Sequence, residues 1–257
     1  MASMGSLFSP AFAPAVLAAA RDPVFWADIA SARTGQRVDE ILAGMAFAPL
    51  SAPDRRSVPF LMAAIVDAKC PYTAEHSFRV AAIARRLGEM FSLPVADCDD
   101  LETAGLLHDI GKLAIPDEII NKPGPLTAGE MAVMRTHAAH SYDVILRLPS
   151  MERIAELARQ HHERDDGRGY PDGIKDGALS LAARILGAAD VFQALTQTRA
   201  YRAGMGATQV LDALAAADST GRLDRSVLGV LKRRFGEFWT LARGPLELPG
   251  LSPRIAR

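Results

Sequence analysis

The sequence predicts an all-α protein: a helical bundle with a short N-terminal helical extension. Three observations carry this. Sustained alternation of apolar and polar residues is absent, and β-branched runs are rare. Apolar residues instead recur at spacings of three and four through most of the chain after Val58, the period of a helix with one face turned inward. Helix-start signals also stand where those runs begin, clearest in Thr127-Ala-Gly-Glu130, the pattern of a capping box.

Residues 1–55 are punctuated by Pro10, Pro14, Pro23, Pro49 and Pro53 and read as the extension. Short helices are expected at Ala15–Ala20 and Val38–Met45, with Phe25 and Trp26 as packing anchors. Residues 1–6 resemble an expression scar. The main domain is placed at 56–240. Its first helix begins near Val58, with Phe60, Leu61, Ala64, Ile65 and Ala68 as one apolar face. The next runs from Thr73 to Met90, and a third from Asp97 to Asp109. Gly111 follows it, where a left-handed residue often ends a helix. The helix opened by Thr127 is expected to continue to about Leu148. Ser150 is the expected cap of another, closing at His161-His162. Residues 163–177 hold Gly167, Gly169, Pro171 and Gly173 and should form a structured loop. Helices are expected again at Ser180–Thr196, within 207–217 and within 223–236. Residues 241–257 read as an irregular tail.

The bulk composition excludes several classes. Hydrophobic residues make up 49% and charged residues 23%, ordinary for a globular domain. The formal net charge of −1 gives no global footprint for DNA or an anionic membrane. No apolar run reaches the ~18 residues needed to span a bilayer, so no membrane insertion is expected and the cytoplasm is the expected compartment. Cys70 and Cys98 form no CxxC pair, which disfavours a thiolate zinc site. They read as reduced thiols, although the sequence alone leaves a disulfide open.

The chemistry sits in a small set of residues. The chain has six histidines. His76, His108-Asp109, His137, His161-His162 and Asp190 fall on separate expected helices or at their ends. Helices in a bundle can aim such groups at one interior point, and imidazole with carboxylate suits manganese, iron or zinc. Each residue alone has a bland role as a hydrogen-bonded core or surface group. Asp190 is the most informative, because an unpaired carboxylate in an apolar helix is costly.

The order and spacing of these groups resemble a known family. Leu106-Leu-His-Asp-Ile-Gly-Lys112 looks like the signature of the HD phosphohydrolase superfamily. His161-His-Glu-Arg-Asp-Asp-Gly-Arg-Gly-Tyr-Pro-Asp-Gly173 is similar to the longer HD-GYP signature. Tyr72-Thr-Ala-Glu-His76, the Ile115-Pro-Asp, Lys122-Pro-Gly and Leu126-Thr segments, Ala189-Asp190-Val-Phe and Arg199-Ala-Tyr-Arg202 resemble its other motifs. The resemblance covers about residues 58–235. It implies an HD-domain helical bundle and a metal-dependent phosphodiesterase of cyclic di-GMP, giving linear pGpG and in some members GMP. It implies two divalent ions, iron or manganese. His76, His108, Asp109 and Asp190 would hold one, and Asp109, His137, His161 and His162 the other. Lys112 would contact phosphate, Arg199 and Arg202 the substrate, and Tyr170 the rim of the site. His140 is read as a helix-face histidine. A diguanylate-cyclase-type partner at the Gly-Tyr-Pro loop is a family-level expectation, while the oligomeric state is not legible.

Three positions depart from the family pattern. Tyr72 stands where some members have a glutamate that recruits a third metal, so two ions are expected. Gln193 stands where an acidic residue is frequent, and Asp165 where an aromatic is usual. None removes a metal ligand. The competing readings are a catalytically weak cyclic di-GMP sensor acting through a partner and an HD phosphohydrolase of another nucleotide or of a different cyclic dinucleotide.

Overall fold

The computed structural model of the protein describes residues 52–69, 75–164, 166–175, 177–197, 204–220 and 222–245. The expected helices at Ala15–Ala20 and Val38–Met45, the anchors Phe25 and Trp26, and Cys70, Tyr72, Asp165, Arg199 and Arg202 lie outside these residues. The described residues are helical, as the sequence predicts: α1 (Ala52–Ala68), α2 (His76–Met90), α3 (Val95–Leu107), a 3-10 turn (Ile110–Ala114), α4 (Asp117–Ile120), α5 (Ala128–Arg135), α6 (His137–Ile145), α7 (Glu152–Gln160), α8 (Leu181–Thr196), α9 (Ala207–Ser219), α10 (Arg225–Arg233) and α11 (Phe235–Arg243). An isolated antiparallel bridge, Asp166 with Lys175, closes the loop before α8.

The bundle is built around α2, α3 and α8. Helix α8 is apolar nearly all round, with Ile185, Leu186, Ala188, Ala189 and Phe192 fully buried. A helix without a polar face belongs at the centre, and α8 packs on α2, α3 and α7. Phe192 meets Phe235 and Phe238 edge-on at 6.0 and 6.3 Å, anchoring α11. Full burial of a ring such as Phe192 or Phe238 contributes roughly 1.5–3 kcal/mol. Helices α7 and α10 are strongly amphipathic: Ile154, Ala155, Leu157 and Ala158 face inward on α7, as do Val227, Leu228 and Leu231 on α10. Helices α2 and α3 touch backbone to backbone at Gly105, where an added Cβ would lie 2.5 Å from Ala81 Cα. This close approach brings the start of α2 and the end of α3 together.

Several local expectations are corrected. The apolar face read from Phe60, Leu61, Ala64, Ile65 and Ala68 is not the core face. Leu61 is 63% and Ile65 50% exposed, while Ala63 and Val66 are buried together with Asp67. The buried face is shifted because Asp67 is drawn inward as an acceptor for α2. The helix opened by Thr127 has its capping box but is interrupted at Thr136, whose Oγ1 donates to the Val133 carbonyl at 2.7 Å. A side chain competing for a helix carbonyl disturbs the ladder locally. Ser150 does not cap α7: it adopts φ 60, and Met151 precedes the first turn. Ser180 does cap α8, accepting from the Ala183 N–H at 3.1 Å.

Gly111 is not left-handed. It lies inside the 3-10 turn, and a Cβ there would fall against the His137 carbonyl oxygen and 2.5 Å from the Ser141 nitrogen. Glycine is needed for close approach rather than for its dihedral freedom. Helix α11 runs to Arg243, three residues into the stretch read as an irregular tail. Cys98 is a buried free thiol.

Candidate metal centre

The groups singled out by sequence converge on one buried point between helix ends. His76 opens α2, His108 and Asp109 follow α3, His137 opens α6, His161 and His162 follow α7, and Asp190 projects from the middle of α8. His76, His108, Asp109, His137, His161 and Asp190 are all less than a tenth exposed; His162 is intermediate. His76 Nε2 is 3.3 Å from Asp190 Oδ1 and 3.8 Å from Asp109 Oδ2. His108 Nε2 is 3.3 Å from Asp109 Oδ2. On the other side, His137 Nε2 is 3.3 Å from Asp109 Oδ1 and 3.4 Å from His161 Nε2. His162 Nδ1 is 3.8 Å from Asp190 Oδ2. The two oxygens of Asp109 therefore face two different sets of imidazoles.

The ring orientations share one local device. His108, His137 and His161 each direct Nδ1 at the carbonyl three residues earlier, Gly105 at 2.7 Å, Met134 at 2.7 Å and Ala158 at 2.5 Å. A carbonyl only accepts, so Nδ1 carries the proton and Nε2 points inward. His76 is oriented by a different group: its Nδ1 lies 3.0 Å from Gln197 Oε1. Such outer contacts hold imidazoles in ligand geometry. Burial opposes the His108 imidazolium, but the nearby Asp109 and Asp190 carboxylates outweigh it and raise the pKa to about 9. Burial depresses His137 and His161, and holds His162 at about 3. Burial also opposes ionisation of Asp109 and Asp190. Lys112 and His108 around the first, and His76 and His162 around the second, nevertheless hold both well below the ordinary carboxylate range.

The donor set fits divalent metal. Three groups of side chains each bring one ligand atom within 4.8 Å of the others: His137, His161 and His162; His76, His108 and Asp190; and His108, Asp109 and His161. His108 Nε2 and Asp109 Oδ1 are buried without a hydrogen-bond partner. Leaving such atoms unpaired is costly, and both point into the cluster where an ion would satisfy them.

The rim is assembled from the 3-10 turn and the loop after α7. Lys112 Nζ reaches Asp109 Oδ2 at 2.5 Å. Tyr170 leans on the His162 ring with centroids 4.7 Å apart, and its backbone N–H bonds the His162 carbonyl at 3.3 Å. Burial raises its phenol pKa. His140 is exposed on α6 and stays outside the cluster.

Several supporting residues carried no readable signal in the sequence. Glu163 is buried and accepts from the N–H groups of Asp172, Gly173 and Ile174 at 2.6, 3.1 and 3.0 Å. One carboxylate thus folds the Gly-rich loop over the site. Asp67 accepts from Ser77 N and Oγ at 3.0 and 2.8 Å, fixing the turn that carries His76; burial raises its pKa. Ser141 Oγ accepts from Gly111 N at 2.9 Å and donates to the His108 carbonyl at 2.6 Å. Their partners are distant in sequence, so only the fold reveals these roles. Gln193 is buried in α8, and Thr196 Oγ1 donates to its carbonyl at 2.9 Å.

Comparison with known proteins identifies the family and the fold. The HD domain family matches residues 61–227. A 3'3'-cGAMP-specific phosphodiesterase of Vibrio cholerae is 40% identical over 193 residues, 74% of this chain and 45% of that protein. A cyclic di-GMP phosphodiesterase of Pseudomonas aeruginosa is 33% identical over 207 residues, 80% of this chain and 50% of its own length. The chain thus spans about half the length of these curated relatives. Among solved structures, an HDG"Y"P protein from Bdellovibrio bacteriovorus shares the fold, with a TM-score of 0.52 at 16% identity over 65% of this chain and 53% of that one.

Proposed function

The chain belongs to the HD domain family, in its HD-GYP branch, and on that premise we propose that it is a metal-dependent phosphodiesterase of a cyclic dinucleotide, cyclic di-GMP in the first instance. The observation that carries the reading is the buried cluster in which Asp109 turns one oxygen toward His137 and the other toward His76 and His108. In this reading His76, His108, Asp109 and Asp190 hold one ion. Asp109, His137, His161 and His162 hold a second. The mixed nitrogen and oxygen donors suit manganese, iron or zinc, and the family resemblance favours iron or manganese among them.

When bound, divalent ions supply Lewis-acid polarisation of a phosphoryl oxygen and a hydroxide-like water at neutral pH. The protein's part is placement. Lys112, paired with Asp109 at the edge of the cluster, would place its ammonium beside a non-bridging phosphoryl oxygen and offset charge developing there. Tyr170 and the Glu163-pinned loop wall the rim and limit water. Arg199 and Arg202 are assigned to the substrate from their motif alone. Water would add to phosphorus as one P–O3′ ester bond breaks and the ribose 3′-oxygen takes up a proton, so one cut opens the ring to a linear dinucleotide such as pGpG, and a second would give GMP.

A second substrate, 3'3'-cGAMP, is favoured by the 40% identical relative named for it. A pure sensor role is disfavoured because the full donor set is retained. Among the described residues no helix is long and apolar enough to cross a membrane. The family-level docking of a diguanylate-cyclase-type protein on the Tyr170 loop is carried as a proposal.

The test is anaerobic turnover of cyclic di-GMP and 3'3'-cGAMP by iron- or manganese-loaded protein, with products separated by chromatography. Metal-dependent appearance of a linear dinucleotide is expected. Bound metal with no cleavage of either compound would remove the cyclic-dinucleotide phosphodiesterase reading.

A further inference from the structure

Resting on the cyclic-dinucleotide reading above, we infer that Arg135 is a specificity-determining residue that binds the phosphate of the substrate that is not being cut. A cyclic dinucleotide carries two phosphodiesters, and only one can occupy the metal cluster with Lys112. The other needs a cation further out, on the same side of the site and free of a competing carboxylate.

Arg135 meets these requirements. It is the last residue of α5, two positions before His137, and it is exposed. Its guanidinium lies 5.1 Å from the centroid of the Tyr170 ring, and that ring is itself 4.7 Å from His162. Arg135 therefore stands one aromatic ring outward from the metal cluster. Among the described residues no Asp or Glu forms an ion pair with it. This contrasts with Arg159 and Arg164 around the same loop, which are engaged by Asp172 and Asp166 at 2.7 and 2.6 Å. The stacked ring holds the guanidinium plane while its N–H groups remain available, and a planar guanidinium pairs with phosphate in a two-point fork.

A merely structural arginine would pin the Tyr170 loop and affect every substrate alike, so selectivity is the decisive readout. The metal-loaded chain is assayed with cyclic di-GMP, 3'3'-cGAMP and bis(4-nitrophenyl) phosphate, a diester with no second phosphate. In Arg135→Ala, the ratio of kcat/KM for the preferred cyclic dinucleotide to that for the nitrophenyl diester should fall about 10- to 100-fold, the loss of one charged hydrogen-bonding contact. The change should lie mainly in KM. Arg135→Lys should recover part of the ratio by restoring charge without the fork. A ratio unchanged in Arg135→Ala overturns the assignment, whether both activities persist or fall together. Wild-type protein that cleaves the nitrophenyl diester and neither cyclic dinucleotide removes the functional reading, and this assignment with it.

Discussion

At the scale of single residues, the cluster is a set of charges balanced for an ion. Two buried carboxylates, Asp109 and Asp190, are held ionised, and burial keeps His137, His161 and His162 neutral. His108 is the exception, with its pKa raised to about 9 from the ordinary 6.5. A raised folded-state pKa means that protonated His108 stabilises the metal-free fold fully below 6.5, and that this contribution is lost as pH rises through about 9. Metal must displace the same proton, because its Nε2 is the inward atom. Metal affinity should therefore weaken about tenfold for each unit by which the pH falls below 9, with about one proton released per cluster at neutral pH. Titration calorimetry in two buffers of different ionisation enthalpy measures that proton directly. Metal binding with no proton release would contradict the placement of His108 as a ligand.

At the scale of elements, the site depends on how closely helix ends approach. The 3-10 turn after α3 lies against the start of α6 at Gly111, with Ser141 tying both to the His108 carbonyl. Gly111→Ala would drive a methyl into backbone, which has nowhere to yield. It should cost about 1–3 kcal/mol or more and loosen the spacing between His108 and His137. Urea unfolding of the metal-free protein reads the first effect, and an unchanged midpoint would show that the turn relaxes. This element also marks the limit of sequence reading. Gly111 is recognisable as obligatory, yet the period alone suggests a left-handed end, because nothing local discloses that α6 packs there. Likewise, Phe60, Leu61 and Ile65 make a convincing apolar stripe on α1. Tertiary pairing of Asp67 with Ser77 turns Ala63 and Val66 inward instead. The capping signals at Thr127 and Ser180 are local, and they place the starts of α5 and α8 correctly.

At the scale of the whole molecule, six separated motifs are legible as one centre because they recur in the order of a family. Chemistry alone would leave His76 or His137 as ordinary histidines. The motifs name the candidate ion contacts by position but say nothing of what orients them. Gln197 behind His76, Glu163 under the loop and Arg135 beyond Tyr170 emerge only when chain segments far apart are brought together. The chain spans about half the length of these curated relatives. The central claim, that this buried cluster is a metal centre bridged by Asp109 and drives cyclic-dinucleotide cleavage, is tested most directly by one paired measurement. Metal content and cyclic di-GMP and 3'3'-cGAMP turnover are determined on the same anaerobic samples of wild type and Asp109→Asn. The account predicts about two ions per chain and turnover of at least one of these compounds in wild type, with at least one ion and nearly all turnover lost in the variant. Retention of both metal and turnover in Asp109→Asn would contradict it.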